Sequence, residues 1–178
     1  MKKPYTDTEI KQILKTLEVI VDTREKENSH ILKYLESKKV PTESRTLDTG
    51  DYSATVTVDG VKLSIEDEVC IEKKNSIDEI AGNFTADRER FEREFLRAKA
   101  KGVKMYLFIE NASYEKIKAH GYTSKTSPEA LLASLLSWQT RFNITVVFCN
   151  REMLPEILLN TLYYAARESL KGGRMHCT

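Results

Sequence analysis

The run Met105-Tyr106-Leu107-Phe108-Ile109 limits the folds open to this chain more than any other feature. A continuously apolar strand needs cover on both faces, which is the environment of a parallel sheet sandwiched between helices. The covering helices are legible on either side of it. One is expected from about Ala86 to Lys101, opened after Thr85 and closed by Gly102 at the position where a left-handed residue ends a helix. Another opens at Ser127-Pro128-Glu129, a cap, a first-turn proline and a first-turn acid, and carries Leu131, Leu132, Leu135, Leu136 and Trp138. Ile144-Thr145-Val146-Val147-Phe148 reads as a further strand, and Leu154 through Leu170 as a last amphipathic helix.

The first half supplies the rest of a sheet. Ile10, Ile13, Leu14 and Leu17 recur at helical spacing, and Val19-Ile20-Val21 then reads as a buried strand ending at Asp22. Ser29 is placed to cap a helix bearing Ile31, Leu32 and Leu35, which Pro41 stops. Thr55 to Val58 and Val61 to Ile65 alternate on either side of Asp59-Gly60, a favoured two-residue hairpin turn. Val69 to Lys74 is the next strand. Strands interleaved with helices predict a three-layer α/β fold with a central mixed β-sheet flanked by helices. At 178 residues one domain is expected. It divides into an N-terminal helix (1–18), a core (19–149) and a C-terminal helix and tail (150–178), with Lys171-Gly172-Gly173-Arg174 as a basic end.

Charge and cysteine content narrow the function classes. Lys and Arg number 28 against 27 Asp and Glu, so the chain has no general basic coat for nucleic acid, although a local patch is open to it. Cys70, Cys149 and Cys177 are too scattered for a disulfide framework or a paired zinc motif. No apolar run approaches the ~18 residues of a membrane span. Lys2 and Lys3 have no apolar stretch behind them, so no secretory signal is read there. A reducing, cytoplasmic setting is the expectation.

Four places hold ionisable side chains where such a fold favours apolar ones. Asp22 ends a buried strand, with Glu25 just beyond it; Asp51 sits at the mouth of the hairpin in Gly50-Asp51-Tyr52; Glu72 and Lys74 share one face of a strand whose Val69 and Ile71 face the other way. Carboxylates from neighbouring strands are hard oxygen ligands suited to Mg²⁺ or Mn²⁺, which bind phosphate oxygens and acidify water. A lysine fixed beside them orients that water or neutralises the developing oxyanion. Each piece also has an ordinary reading: Asp51 as a turn residue, Glu72 and Lys74 as a solvated ion pair, Asp22 as a cap.

Taken together, Val21-Asp22-Thr23-Arg24-Glu25, Gly50-Asp51-Tyr52 and Ile71-Glu72-Lys73-Lys74-Asn75-Ser76-Ile77-Asp78 resemble the nuclease domain of the XPF family of structure-specific endonucleases. That family's pattern is an Asp-bearing turn after a strand, a Gly-Asp, and Glu-Arg-Lys followed three residues later by Asp. The middle arginine is Lys73 here. The resemblance runs from about Glu18 to Phe148. It implies a restriction-endonuclease-like core and Mg²⁺ or Mn²⁺ as cofactor, with Asp51 and Glu72 as principal metal ligands, Asp22 beside the metal and Lys74 as catalytic lysine. Glu25 and Asp78 would support the site from behind.

The same resemblance implies a DNA endonuclease for branched or single-strand/duplex junction substrates. Its alternatives are a Holliday-junction resolvase-like recombination nuclease and a non-catalytic DNA-binding scaffold subunit. Intact Asp51, Glu72 and Lys74 argue against the scaffold. Arg90, Arg93, Arg97, Lys101 and Lys104 form one stripe along the long helix, read as a phosphate track, with Arg88 at its start near the scissile phosphate. About half of these charges have acidic neighbours at i, i+4 spacing, as an ordinary solvated face would. The helix–hairpin–helix domain usual in the family does not appear after Phe148, so a stand-alone bacterial or phage-encoded nuclease, nucleoid-associated when acting, is expected. A homodimer is expected too, because the helices from Pro128 and from Leu154 carry apolar residues over a wider arc than one buried stripe needs.

Overall fold

The computed structural model describes residues 5–85, 88–173 and 176–177. Thr6 opens α1 (Asp7–Ile13) through a capping box with Glu9, and a single 3₁₀ turn, Leu14–Thr16, leads into β1 (Glu18–Val21). The elements that follow are α2 (Ser29–Ser37), β2 (Thr42–Ser44), β3 (Tyr52–Val58), β4 (Val61–Ser64) and β5 (Val69–Lys74). Then come α3 (Ile77–Thr85), α4 (Arg88–Lys101), β6 (Lys104–Glu110), α5 (Tyr114–Lys118), α6 (Pro128–Phe142), β7 (Thr145–Cys149), α7 (Leu154–Gly172) and β8 (His176–Cys177).

One mixed sheet joins the strands in the order β2-β1-β3-β5-β6-β7, with β4 and β8 attached beyond β3. β5, β6 and β7 run parallel, while β3 is antiparallel to β1, β4 and β5. The expected hairpin is present, with Asp59 and Gly60 both at positive φ (51° and 79°), as a turn matched to strand twist requires. Two apolar layers cover the sheet. On one side α1, α2 and α7 bury Ile10, Ile31, Leu35, Leu158 and Leu162 against Val19, Tyr52, Ile71 and Phe108. On the other, α3, α4 and α6 bury Ile80, Phe95, Leu131, Leu135 and Trp138 against Cys70, Leu107 and Ile109. The three-layer α/β prediction holds. The C-terminal helix is integral to the first of these layers, since Leu154, Leu158, Leu162, Ala166 and Leu170 are all buried in it.

Several local expectations are corrected. Ser29 is the first residue of α2 and Asn28 stands at the cap position, its side chain donating to the Glu25 carbonyl at 3.3 Å and not capping the helix. α2 stops well before Pro41, at a left-handed Lys39. Lys104 belongs to β6, and its ammonium donates to the Asn143 carbonyl at 2.9 Å, so it leaves the basic stripe. The long helix is described from Arg88; Ala86 and the tail residue Arg174 lie outside the described residues. Strand β2 and helix α5 are short elements that hydrophobic periodicity does not mark, whereas α3 has the helical period in Ile77, Ile80, Ala81 and Phe84, all buried, and is not among the expected helices. No described helix is long and apolar enough to cross a membrane.

Candidate active site

The site is assembled where β1, β3 and β5 meet. Asp51, the residue before β3, is stitched to both neighbours. Its carbonyl accepts the Asp22 amide at 2.8 Å, its amide donates to the Ile71 carbonyl at 2.7 Å, and its Oδ2 accepts the Lys73 amide at 2.7 Å. Gly50 makes that close approach feasible. It has φ +74°, and a Cβ there would lie 2.9 Å from the Ile71 carbonyl and 3.0 Å from Cys70 Cβ. The Gly-Asp pair is therefore a device for pressing a carboxylate against β5.

β5 carries the second carboxylate. Glu72 and Lys74 do share a face, the one on which Cys70 packs, and Lys74 Nζ donates to Glu72 Oε1 at 2.8 Å. Lys74 also lies 3.6 Å from Glu79 Oε1 and 4.8 Å from the centre of the Phe91 ring. Burial, then repulsion from Glu72, pushes the Asp51 carboxyl well above the ordinary carboxylate range. Burial raises Glu72 as well, against the pull of Lys74. Lys74 is shifted upward: burial opposes its charge, but Glu72 and Glu79 outweigh that. The cluster is thus two buried like charges beside one firmly protonated lysine.

Asp51 Oδ1 and Glu72 Oε2 have no hydrogen-bond partner among the described residues. Two free, hard carboxylate oxygens whose mutual repulsion a cation would relieve fit Mg²⁺ or Mn²⁺, ions that take one or two protein carboxylates and keep several waters. No group of three or more His, Cys, Asp or Glu side chains converges among the described residues. The expected third ligand, Asp22, is occupied otherwise. Its Oδ1 accepts Arg24 N and Nε at 2.8 and 2.7 Å, and its Oδ2 accepts Arg24 Nη2 and Leu47 N at 2.9 and 2.7 Å. Burial alone would raise this carboxyl, but Arg24 and the Leu47 amide hold it below the ordinary range. Asp22 in this arrangement positions Arg24 and the loop before Asp51.

The remaining expected residues separate. Glu25 lies on the opposite face of the sheet, 3.6 Å from the buried ammonium of Lys73, yet near enough to Asp51 to add to its repulsion. Lys73 there reaches the Glu27 carbonyl at 3.0 Å and Asn75 Oδ1 at 2.6 Å, and faces Glu110 at 3.8 Å. Glu110 is fully buried between His30, in close contact at 2.7 Å without hydrogen-bond alignment, and Arg151 at 3.1 Å. Asp78 is a buttress: Oδ1 accepts Thr123 N, Thr123 Oγ1 and Ser124 N at 2.7–2.8 Å, pinning the loop before α6 to α3. Cys70 is an inert neighbour whose thiol burial pushes up to about 12.

On α4, Arg90, Arg93, Arg97 and Lys101 are all exposed. Arg97 lies 3.7 Å from Glu94 and Lys101 2.6 Å from Asp48. Arg88 is turned onto Glu92 at 2.9 Å, an acid that also takes Trp138 Nε1 and Arg141. Sequence reasoning misses Glu79 and Glu94, both of which raise Glu72, and the role of Arg24. Glu79 has a local signal, since it stands three residues after Ser76, whose hydroxyl accepts its amide at 3.1 Å. Glu94 comes from a helix distant in sequence and has none.

A match to the family model described as ERCC4 domain covers residues 21–156 and includes every strand from β2 to β7 together with Asp22, Asp51, Glu72 and Lys74. This chain belongs to the ERCC4 domain family. Two solved structures share its fold. XPF from Aeropyrum pernix superposes with a TM-score of 0.60 at 21% identity, covering 85% of this chain and 64% of that one. XPF from Aeropyrum pernix in complex with DNA superposes with a TM-score of 0.59 at 21% identity, covering 87% and 66%. The chain thus spans about two thirds of the structures it matches. No curated protein matches it.

Proposed function

We propose that this ERCC4-domain chain is a DNA endonuclease that needs Mg²⁺ or Mn²⁺ and cuts branched or single-strand/duplex junction DNA. The observation that carries this reading is the packing of Asp51 and Glu72, two mutually repelling buried carboxylates, against the ammonium of Lys74. Repulsion between the two carboxylates is what a bound cation would relieve, and groups so perturbed gather where chemistry is done. The ERCC4 family and the DNA-bound structure of its fold relative support a nucleic-acid substrate. When bound between Asp51 and Glu72, the cation supplies an acidified water and neutralises charge on the phosphate. Lys74, held by Glu72 and Glu79, keeps its proton and stabilises the charge that builds on phosphorus. The Lys73 amide fixes Asp51 so that this carboxylate does not have to reorganise.

We also propose that it acts as a homodimer. β7 ends the sheet, and all five of its residues are half-buried rather than covered. Leu136 on α6 and Tyr164 on α7 are 52% and 58% exposed, while Leu131, Leu135, Trp138, Leu158 and Leu162 are claimed by the chain's own core. The sequence-based interface therefore narrows to the outward residues and to the open edge of β7. A second copy closing that edge would bury one patch against itself.

The test is a panel of end-labelled flap, fork, bubble, four-way and linear duplex DNAs in Mg²⁺ or Mn²⁺. Cutting near a branch point, absent on linear duplex and absent in chelator, is expected. Preference for the four-way junction would favour the resolvase reading. Preference for linear duplex, or no cutting of any branch with either metal, would overturn the proposal.

A further inference from the structure

Among the acids facing the basic stripe of α4, Asp48 stands apart. Its side chain is 85% exposed, so nothing in the fold needs to bury it, yet its Oδ2 lies 2.6 Å from Lys101 Nζ. Arg97 sits one turn earlier on the same helix face as Lys101. Asp48 is carried by Leu47, whose amide donates to Asp22 Oδ2 at 2.7 Å and whose carbonyl accepts Arg24 Nη2 at 2.8 Å. The loop tip is therefore locked beside the Arg24 guanidinium, itself two-thirds exposed. Lys101, in contact, then Arg97 and Arg24 at longer range, hold the Asp48 carboxyl below its ordinary range, so one cation touches this acid and two more lie within electrostatic reach of it. An exposed pair of this kind adds little to stability. It does mark where an anion is attracted.

We propose that Arg24, Arg97 and Lys101 form a subsite for a DNA backbone phosphate, and that Asp48 occupies it in the free protein as an internal competitor that DNA must displace. The inference rests on the DNA-binding reading above and adds where one non-reacting phosphate sits. Asp48 is three residues from Asp51, a span of at most about 11 Å of extended chain. The subsite thus lies within a few nucleotide steps of the catalytic carboxylates, on the α4 side. Arg24 links the two, since Asp22 grips its guanidinium and the Asp22 amide is bonded to the Asp51 carbonyl. Asp67 also acts on Lys101, and Glu94 lies 3.7 Å from Arg97, so the subsite is not purely basic, and removal of Asp48 alone is the cleaner perturbation.

The test titrates a fluorescent forked DNA with the full chain in chelator, so that no cleavage occurs, over a range of salt. Wild type is compared with Asp48→Asn, Lys101→Ala, the double variant, and Asp59→Asn, which removes an equal charge at the exposed hairpin turn. Asp48→Asn should bind several-fold tighter than Asp59→Asn and steepen the log–log salt slope by up to about 0.9, the contribution of one additional neutralised phosphate. The gain should vanish in the Asp48→Asn/Lys101→Ala double variant. If Asp48→Asn matches Asp59→Asn while both bind, or if its gain survives without Lys101, the subsite is refuted and the DNA reading stands. If no chain binds the fork, wild type included, both fall.

Discussion

Lys73 shows how one residue type can hide two jobs. Its backbone amide holds Asp51, while its ammonium, on the far side of the sheet, faces Glu25 and Glu110 in full burial. The alternation of strand side chains predicts that Lys73 points away from Glu72, but it gives no sign of the acids waiting there, because Glu25 and Glu110 arrive from other strands and turns. Lys73→Met should lower unfolding free energy in denaturant by about 3–5 kcal/mol, the cost of removing a buried cation from between Glu25 and Glu110. A loss under about 1 kcal/mol would mean that solvent already reaches them. His30 belongs to the same network. Burial lowers its pKa; Glu110 opposes this, while Arg151 and Lys73 reinforce it. A depressed folded pKa means the unfolded chain takes up the proton first. The stability this neutral histidine confers is present above about pH 6.5 and is lost as pH falls through the folded value. His30→Gln should flatten that loss in melts between pH 7 and 5, and an unchanged slope would contradict the assignment.

At the scale of elements, the sequence is informative wherever a side-chain period coincides with a cap. α6 begins at Ser127 with Pro128 behind it, the β3–β4 turn is Asp59-Gly60, and α4 ends at Gly102 with φ +76°, all as expected. β2 escapes notice because Thr42–Ser44 is short and polar and is a strand only by parallel pairing with β1. The pieces of the candidate site are legible because each sits at a strand end with a local motif. Asp22 does lie next to Asp51, but nothing local in the sequence shows that Arg24 and Leu47 saturate its oxygens. α4 presents Arg93 and Arg97 outward while Phe91 and Phe95 pack inward, so charge reversal there should not disturb the fold. Arg93→Glu with Arg97→Glu should weaken binding to all DNA structures about equally and reduce the salt slope by roughly 0.9 for each phosphate left unneutralised. Binding equal to wild type would make the stripe a solvated face.

For the whole molecule, the wide apolar arcs of α6 and α7 call for cover on two sides, and most of that cover is internal. Leu162 illustrates the point. It is fully buried, so an aspartate there would damage the core and say nothing about an interface. The informative positions are Leu136 and Tyr164. Light scattering at micromolar concentration should give a dimer mass for wild type, and Leu136→Asp with Tyr164→Asp should give a folded monomer. A monomeric wild type would remove the homodimer from the account.

The proposed function rests on Glu72, with Asp51 and Lys74, as a cation-dependent cutting centre. The most direct measurement is cleavage of a labelled forked DNA in Mg²⁺ by wild type and by Glu72→Gln, with binding to the same fork measured in chelator. Glu72→Gln should cut at least about 10²-fold more slowly, the scale of losing one charge-stabilising group, while binding the fork as wild type does. Cleavage by Glu72→Gln within a few-fold of wild type, or wild-type cleavage that persists in chelator, would contradict it.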